Sequence, residues 1–313
     1  MLEIIDFHVH LPVEGLDHQF TEYYRRYAEK HGPVKLKLLR EWSDSYDRQW
    51  REAWGFPEPE PDPPLKEAAS RWYEEARQNK LARVVFVSGG GNRALAETIA
   101  PYKDIFCGFA HHSPEQLAAA AELERAIRED NLKGYKIFAP LVERPLADPS
   151  FDPLWETAAR YRLPVLIHFG ILGGGGGIAS GVNISPLSLA PVAQAYPTVP
   201  FVIPHFGCGY LRDLLQLCWA CANVYVDTSG NNEWTRWYPY PLSLEALFQR
   251  FYETIGPRRI IFGSDSSWFP RGFARRYLAD QLRACQQLQM PATDIELIFG
   301  GNARRLLEAV KDG

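Results

Sequence analysis

Pro164-Val165-Leu166-Ile167-His168-Phe169 is an apolar run that closes on a histidine, and Phe201-Val202-Ile203-Pro204-His205-Phe206 repeats the pattern. Six more short runs of the same character surround them: Leu2 to His8, Arg83 to Ser88, Ile105 to Ala110, Lys133 to Phe138, Val224 to Asp227 and Ile260 to Asp265. They read as near-continuous hydrophobic stretches without in/out alternation, as strands covered on both faces do. From the second run on they recur at roughly 30 residues, the length of a strand with its crossover helix. Ser113-Pro114, Asp152-Pro153 and Ser185-Pro186 set a capping side chain before a proline, and Thr293-x-x-Glu296 reads as a capping box, so helices are expected to start there. Eight such units predict an α/β fold with a parallel sheet. A closed (β/α)8 TIM barrel, residues 1–313 as one domain, is the most economical form, and an open doubly wound sheet is its rival.

Composition excludes several classes. With 46% apolar and 23% charged residues the 313-residue chain is neither disordered nor collagenous. A net charge of −4 offers no basic field for nucleic acid or an anionic membrane. No Asp, Glu, Lys or Arg stands between Arg162 and Arg212, but glycines and prolines break the stretch well below the ~18 apolar residues of a membrane span. It is expected to be buried core. Five cysteines without framework spacing, and no secretory leader pattern, lead to the expectation of reduced thiols in the cytoplasm. Cys218-Trp219-Ala220-Cys221 has redox spacing but lacks the strand that should precede it, so a buried structural pair is expected.

Residues 11–80 exceed what one crossover needs and form a helical, proline-rich insertion after the first strand. Asp17 to His31 has aromatics at helical spacing and Gly32 as a stop, and Phe56 to Leu65 (FPEPEPDPPL) is a stiff connector. The insertion is expected to pack against the barrel or a second subunit, in a possible homodimer, in preference to binding ligand. A second departure, Ser229 to Leu242, follows the seventh strand and overhangs the mouth. Trp234, Trp237, Tyr238 and Tyr240 there can cover a substrate and Arg236 can pair with a carboxylate, unless the loop builds a subunit contact. Gly173 to Gly177, after the fifth strand, lacks the Lys-Ser/Thr of a phosphate loop and is expected to approach a ligand or move as a lid.

Histidines carry the functional argument. His8 and His10 close the first strand at a spacing of two, which puts both rings on one face. His168, His205 and Asp265 end the fifth, sixth and eighth strands. In a barrel all strand C-termini share one rim, so these five metal-competent side chains converge. His111 and His112 end the third strand and either reach the mouth or serve as polar groups of a loop capped by Ser113.

Asp6-Phe7-His8-Val9-His10 resembles the first-strand signature of the amidohydrolase superfamily of metal-dependent barrels. Ile167-His168, Pro204-His205-Phe206-Gly207 and Phe262-Gly263-Ser264-Asp265 resemble its later strand elements. The tail Ile298-Phe299-Gly300-Gly301-Asn302-Ala303-Arg304-Arg305-Leu306-Leu307 is similar to the closing helix of the amidohydrolase-related branch, which includes aminocarboxymuconate-semialdehyde-decarboxylase-like enzymes and pyrone-dicarboxylate lactonases. The resemblance leaves 11–80 uncovered. It implies one divalent metal per chain on His8, His10, His168 and Asp265, with Zn²⁺ first and Mn²⁺ an alternative. It makes Asp265 and His205 the catalytic groups, with His205 also touching the substrate. Lys136, Arg236 and Trp268 are further expected toward a small-molecule substrate. Lys136 is read as uncarbamylated, in a substrate-carboxylate contact or a structural ion pair. Cys208 stands where many relatives carry glycine. Hydrolysis of a lactone, amide or ester of a small organic acid is the first expectation. Non-oxidative decarboxylation of an aromatic or unsaturated acid is the alternative, and metal binding without turnover the third.

Overall fold

The computed structural model describes residues 2–13, 18–172, 181–230 and 232–311. All eight expected runs are strands: β1 (Ile4–His10), β2 (Leu81–Ser88), β3 (Phe106–Gly108), β4 (Tyr135–Phe138), β5 (Val165–His168), β6 (Phe201–Ile203), β7 (Val224–Asp227) and β8 (Ile260–Ile261). Every pairing is parallel, β1 to β3 in one run and β4 to β8 in the other. Parallel bridges at Ala110–Tyr135 and Val9–Ser266 join the two runs at both edges. Near the second seam, the Asp265 amide donates to the His8 carbonyl at 2.9 Å and the His10 amide to the Ser266 carbonyl at 2.8 Å. The structure is a (β/α)8 barrel, and the doubly wound alternative falls.

Side-chain parity explains how the lumen divides. Ile5, Phe7, Val85, Val87, Leu166, Val202 and Ile261 form an inner cluster, against which Ala303, Leu306 and Leu307 of the last helix pack. Strict alternation after Phe7 would send His8 outward. Register shifts between Asp6 and Val9, and again between Val9 and His10, reset the phase, so that Val9 joins the outer core and His8 and His10 turn inward. An irregularity of this kind is a standard way to re-aim a side chain. Buried Asp6 pins the seam by accepting from the Ser264 amide (2.9 Å) and hydroxyl (2.6 Å), and burial pushes its carboxyl up to about 7 despite them.

The insertion is three helices: α1 (His18–His31), α2 (Pro33–Trp54) and α3 (Leu65–Gln78). Gly32, at φ 87°, makes the break that ends α1 and admits Pro33 at the start of α2. Trp72 of α3 is fully buried on Phe86 and Phe269, as expected of packing. On α1, the Gln19 amide donates to the carbonyls of His111 and Lys136 and accepts from the Phe138 amide, clamping the helix over the end of β4.

Two helix starts differ from expectation. The segment after Ser113 makes turns, and the helix begins only at Ala119, because Glu115 is drawn aside to Arg26 and to the amides of Glu143 and Arg144. Thr293 lies inside a short helix, Ala292–Glu296, preceded by Pro291 with no side-chain cap. The five cysteines are unpaired, Cys218 and Cys221 among the buried ones. No helix among the described residues is long and apolar enough to cross a membrane.

Candidate metal centre and its cleft

The strand C-termini open into a cleft of ≈ 650 Å³ that contains His8, His10, Lys136, His168, His205 and Asp265. His8 Nε2 lies 3.2 Å from His10 Nε2 and 3.6 Å from Asp265 Oδ1, and His10 Nε2 lies 3.4 Å from the same oxygen. Donors about 2.1 Å from a tetrahedral ion stand about 3.4 Å apart, so this triangle has the edges of a coordination face. His205 belongs to the same focus, since donor atoms of His8, His205 and Asp265 all lie within 4.8 Å of one another.

Each ring is held by one nitrogen, which leaves the other for the cleft. His8 Nδ1 bonds Asp227 Oδ2 at 2.7 Å, His10 Nδ1 bonds the Ser88 hydroxyl at 2.6 Å, and His205 Nδ1 bonds the Ser229 carbonyl (3.1 Å) and hydroxyl (2.9 Å). His168 is tied the other way round, Nε2 to the Ile171 carbonyl at 2.9 Å, so Nδ1 is its remaining donor. Its ring centroid is 5.0 Å from that of His205. Second partners that fix the ring and its tautomer are what metal-binding histidines require.

Electrostatics agree with a metal site. Burial and the Lys136 ammonium push His8 down to about 3, outweighing Asp227. Burial, His205 and Lys136 likewise lower His168 well below the usual imidazole range. Burial alone would raise the Asp265 carboxyl, but His205, His10 and His8 hold it well below the usual carboxylate range. Neutral imidazoles and an ionised carboxylate are the ligand forms, so the residues present fit a divalent ion. Two of these residues, His205 (φ 57°) and Asp265 (φ 56°), adopt left-handed backbone, a strain that clusters at functional sites.

Lys136 is fully buried on the floor, its Nζ 3.3 Å from His8 Nε2 and 4.7 Å over the Phe138 ring. Trp268 lines the cleft, as do Trp234 and Trp237 from the loop after β7, and the Trp234 indole donates to the His205 carbonyl at 2.9 Å. Arg236 is not brought in. It is exposed and donates to the Tyr46 hydroxyl at 3.1 Å, and it is not among the residues that line the cleft. The glycines 173–177 lie outside the described residues. His111 and His112 are satisfied core groups: His111 Nε2 accepts from the Gly89 and Gly91 amides, and His112 bonds Asn92 and the Ala119 carbonyl.

Several site residues escaped the sequence reading. Asp227 ends its strand just as His168 does, so the same positional logic could have found it, and Ser88 likewise ends β2. Arg271, six positions past Asp265, gave no signal beyond following β8. Insertion helix α2 also lines the cleft, through Tyr46, Asp47, Trp50 and Arg51, a role that the expectation of simple packing left out.

Comparisons with known proteins agree with this geometry. None of the curated proteins compared matches the chain. Among solved structures, a 5-carboxyvanillate decarboxylase from Sphingomonas paucimobilis superimposes with a TM-score of 0.64 at 16% identity, covering 99% of this chain and 100% of that one. A probable 2-pyrone-4,6-dicarboxylic acid hydrolase from Acinetobacter baumannii gives 0.60 at 16%, covering 98% and 99%. A 5-carboxyvanillate decarboxylase from Novosphingobium aromaticivorans, complexed with manganese and a nitrobenzoic acid, gives 0.64 at 18%, covering 98% and 96%. At such identities these likenesses establish the fold. The amidohydrolase family model matches residues 5–309, from β1 into the last turn of the chain, and on that match the chain is an enzyme of the amidohydrolase family.

Proposed function

We propose that the enzyme is a mononuclear metal-dependent hydrolase acting on a lactone, amide or ester of a small organic acid. The observation that supports it best is the Asp265 carboxylate within 3.6 Å of the Nε2 atoms of both His8 and His10, with His205 at the same focus. His8, His10, His168 and Asp265 would hold the ion, zinc in this proposal and manganese as the alternative. Such an ion supplies Lewis acidity, lowering the pKa of a water to about 7 and polarising a carbonyl oxygen.

The chain's own groups do the rest. Asp265 can take a proton from a water in the cleft and return it to the leaving group. His205, held at Nδ1 by Ser229, presents Nε2 where it can hold or move a proton. The Lys136 ammonium beside His8 places positive charge where a developing oxyanion needs it, in a site with little water to screen it. The proposal takes residues 1–313 as one domain, since α1 is clamped to β4 and α2 walls the cleft, in a cytoplasmic homodimer.

One observation favours a second reading, decarboxylation. Phe138 stacks near His10 at 6.4 Å between ring centroids and gives the cleft floor an apolar surface that suits loss of CO₂ from a carboxylate. The test is a panel of lactones, esters, amides and aromatic acids, run with zinc- and manganese-loaded protein in ¹⁸O-water. Incorporation of ¹⁸O into an organic acid product is the expected result. Release of CO₂ with no ¹⁸O in the organic product would replace hydrolysis with decarboxylation.

A further inference from the structure

Arg271 lies in the loop after β8 and lines the cleft beside Asp265. Its Nη2 donates to the carbonyls of Asp265 (3.2 Å) and Ser264 (3.5 Å), and its guanidinium carbon sits 4.3 Å over the Trp268 ring, with Phe56 and Tyr277 at 5.2 and 5.3 Å. The group is therefore fixed in place. Yet no carboxylate among the described residues lies within ion-pair distance of it, and Arg271 Nε and Trp268 Nε1 have no hydrogen-bond partner. The Asp265 carboxylate, on the residue whose carbonyl Arg271 holds, already serves the histidines. Arg271 is partly buried, and a guanidinium held away from water is normally paired, because an uncompensated charge there is costly. A positioned cation on the wall of a ligand cleft, with its counter-charge missing, is built for an anion that arrives with the ligand.

We propose that Arg271 anchors the carboxylate of a planar or aromatic substrate, with Trp268 holding the guanidinium flat. This rests on the reading of the cleft as the substrate site. It assigns to Arg271 the role that the sequence suggested for Arg236. Arginine suits it because its fork matches a carboxylate and its face stacks on indole. The aromatic walls supplied by Trp50, Phe138 and Trp237 favour a planar body over a flexible chain.

The probe is benzoate against its neutral isostere benzamide, titrated calorimetrically into metal-loaded and metal-free protein. Benzoate is expected to bind more tightly in both forms. Arg271→Met should weaken benzoate by about 10- to 100-fold, the worth of a charge-assisted hydrogen bond, while benzamide affinity and metal content stay as they were. Arg236→Met should bind benzoate as the wild type does. Undiminished benzoate binding by a folded Arg271→Met protein would overturn the proposal. Should that variant not fold, a crystal of the wild-type protein with 4-bromobenzoate decides: a carboxylate on Arg271 supports the assignment, and a carboxylate elsewhere or no bound ligand overturns it. Arg271-dependent benzoate binding with no turnover on the ¹⁸O panel would remove the hydrolase reading and leave the anion site standing. Turnover with benzoate indifferent to Arg271 would do the converse.

Discussion

Asp227 Oδ2 stands 2.7 Å from His8 Nδ1, with both side chains shielded from solvent. The pair joins β7 to β1 across the lumen and commits the Nδ1 hydrogen of His8 to Asp227, which frees Nε2 as a donor. Burial alone would raise the Asp227 carboxyl, but the His8 contact holds it below its usual range, so it carries the charge that strengthens His8 as a ligand. Asp227→Asn keeps the shape and removes that charge. Metal affinity, measured against a competing chelator, should fall by about 10- to 100-fold. Unchanged affinity would reduce Asp227 to a packing role.

The ligand set can be separated residue by residue. Metal-replete protein should carry about one ion per chain, and the His8→Ala/His10→Ala double variant should carry none. His168→Asn should lose metal, whereas His205→Asn should keep it while turnover drops by ~10²–10⁴-fold. Elemental analysis with the reverse outcome for the last two would place His205 in the coordination sphere, a position its 4.8 Å grouping with His8 and Asp265 permits.

Gly263 tests how tightly the floor is built. A Cβ there would stand 2.8 Å from His8 Cβ and 2.9 Å from Ser229 Cβ, side chains with no room to retreat. Gly263→Ala should cost about 1–3 kcal/mol by overpacking. Thermal denaturation should show a lower Tm, together with loss of bound metal. A variant with wild-type Tm and metal content would mean that the floor relaxes freely.

Stability should fall in mild acid through His112. Burial holds its imidazole down to about 4 from an ordinary 6.5, so it is neutral in the folded protein and takes a proton first in the unfolded chain. Its contribution is complete above pH 6.5 and is lost as pH falls toward 4, at about 1.4 kcal/mol per pH unit and about 3 kcal/mol in all. Urea unfolding of the wild type and His112→Gln at several pH values should show the wild-type advantage shrinking over that window. A difference that does not change with pH would show that His112 carries no such linkage.

What the sequence by itself determined is the barrel and its rim. Eight apolar runs long enough to be strands, each separated by crossover length, admit little but parallel pairing, and parallel pairing puts His8, His10, His168, His205 and Asp265 at one end. Those conclusions need only backbone periodicity and connection length, which are local. The aim of individual side chains is not local. The register shifts that turn His8 and His10 inward after Phe7 depend on how β1 pairs with β2, and each ring's free nitrogen depends on Asp227, Ser88, Ser229 and Ile171 from distant strands and loops. The positions of two arginines were equally out of reach of the sequence. Arg236 and Arg271 both follow strands at the catalytic rim, and only the tertiary structure leaves Arg236 exposed against the Tyr46 hydroxyl and sets Arg271 in the cleft wall over Trp268.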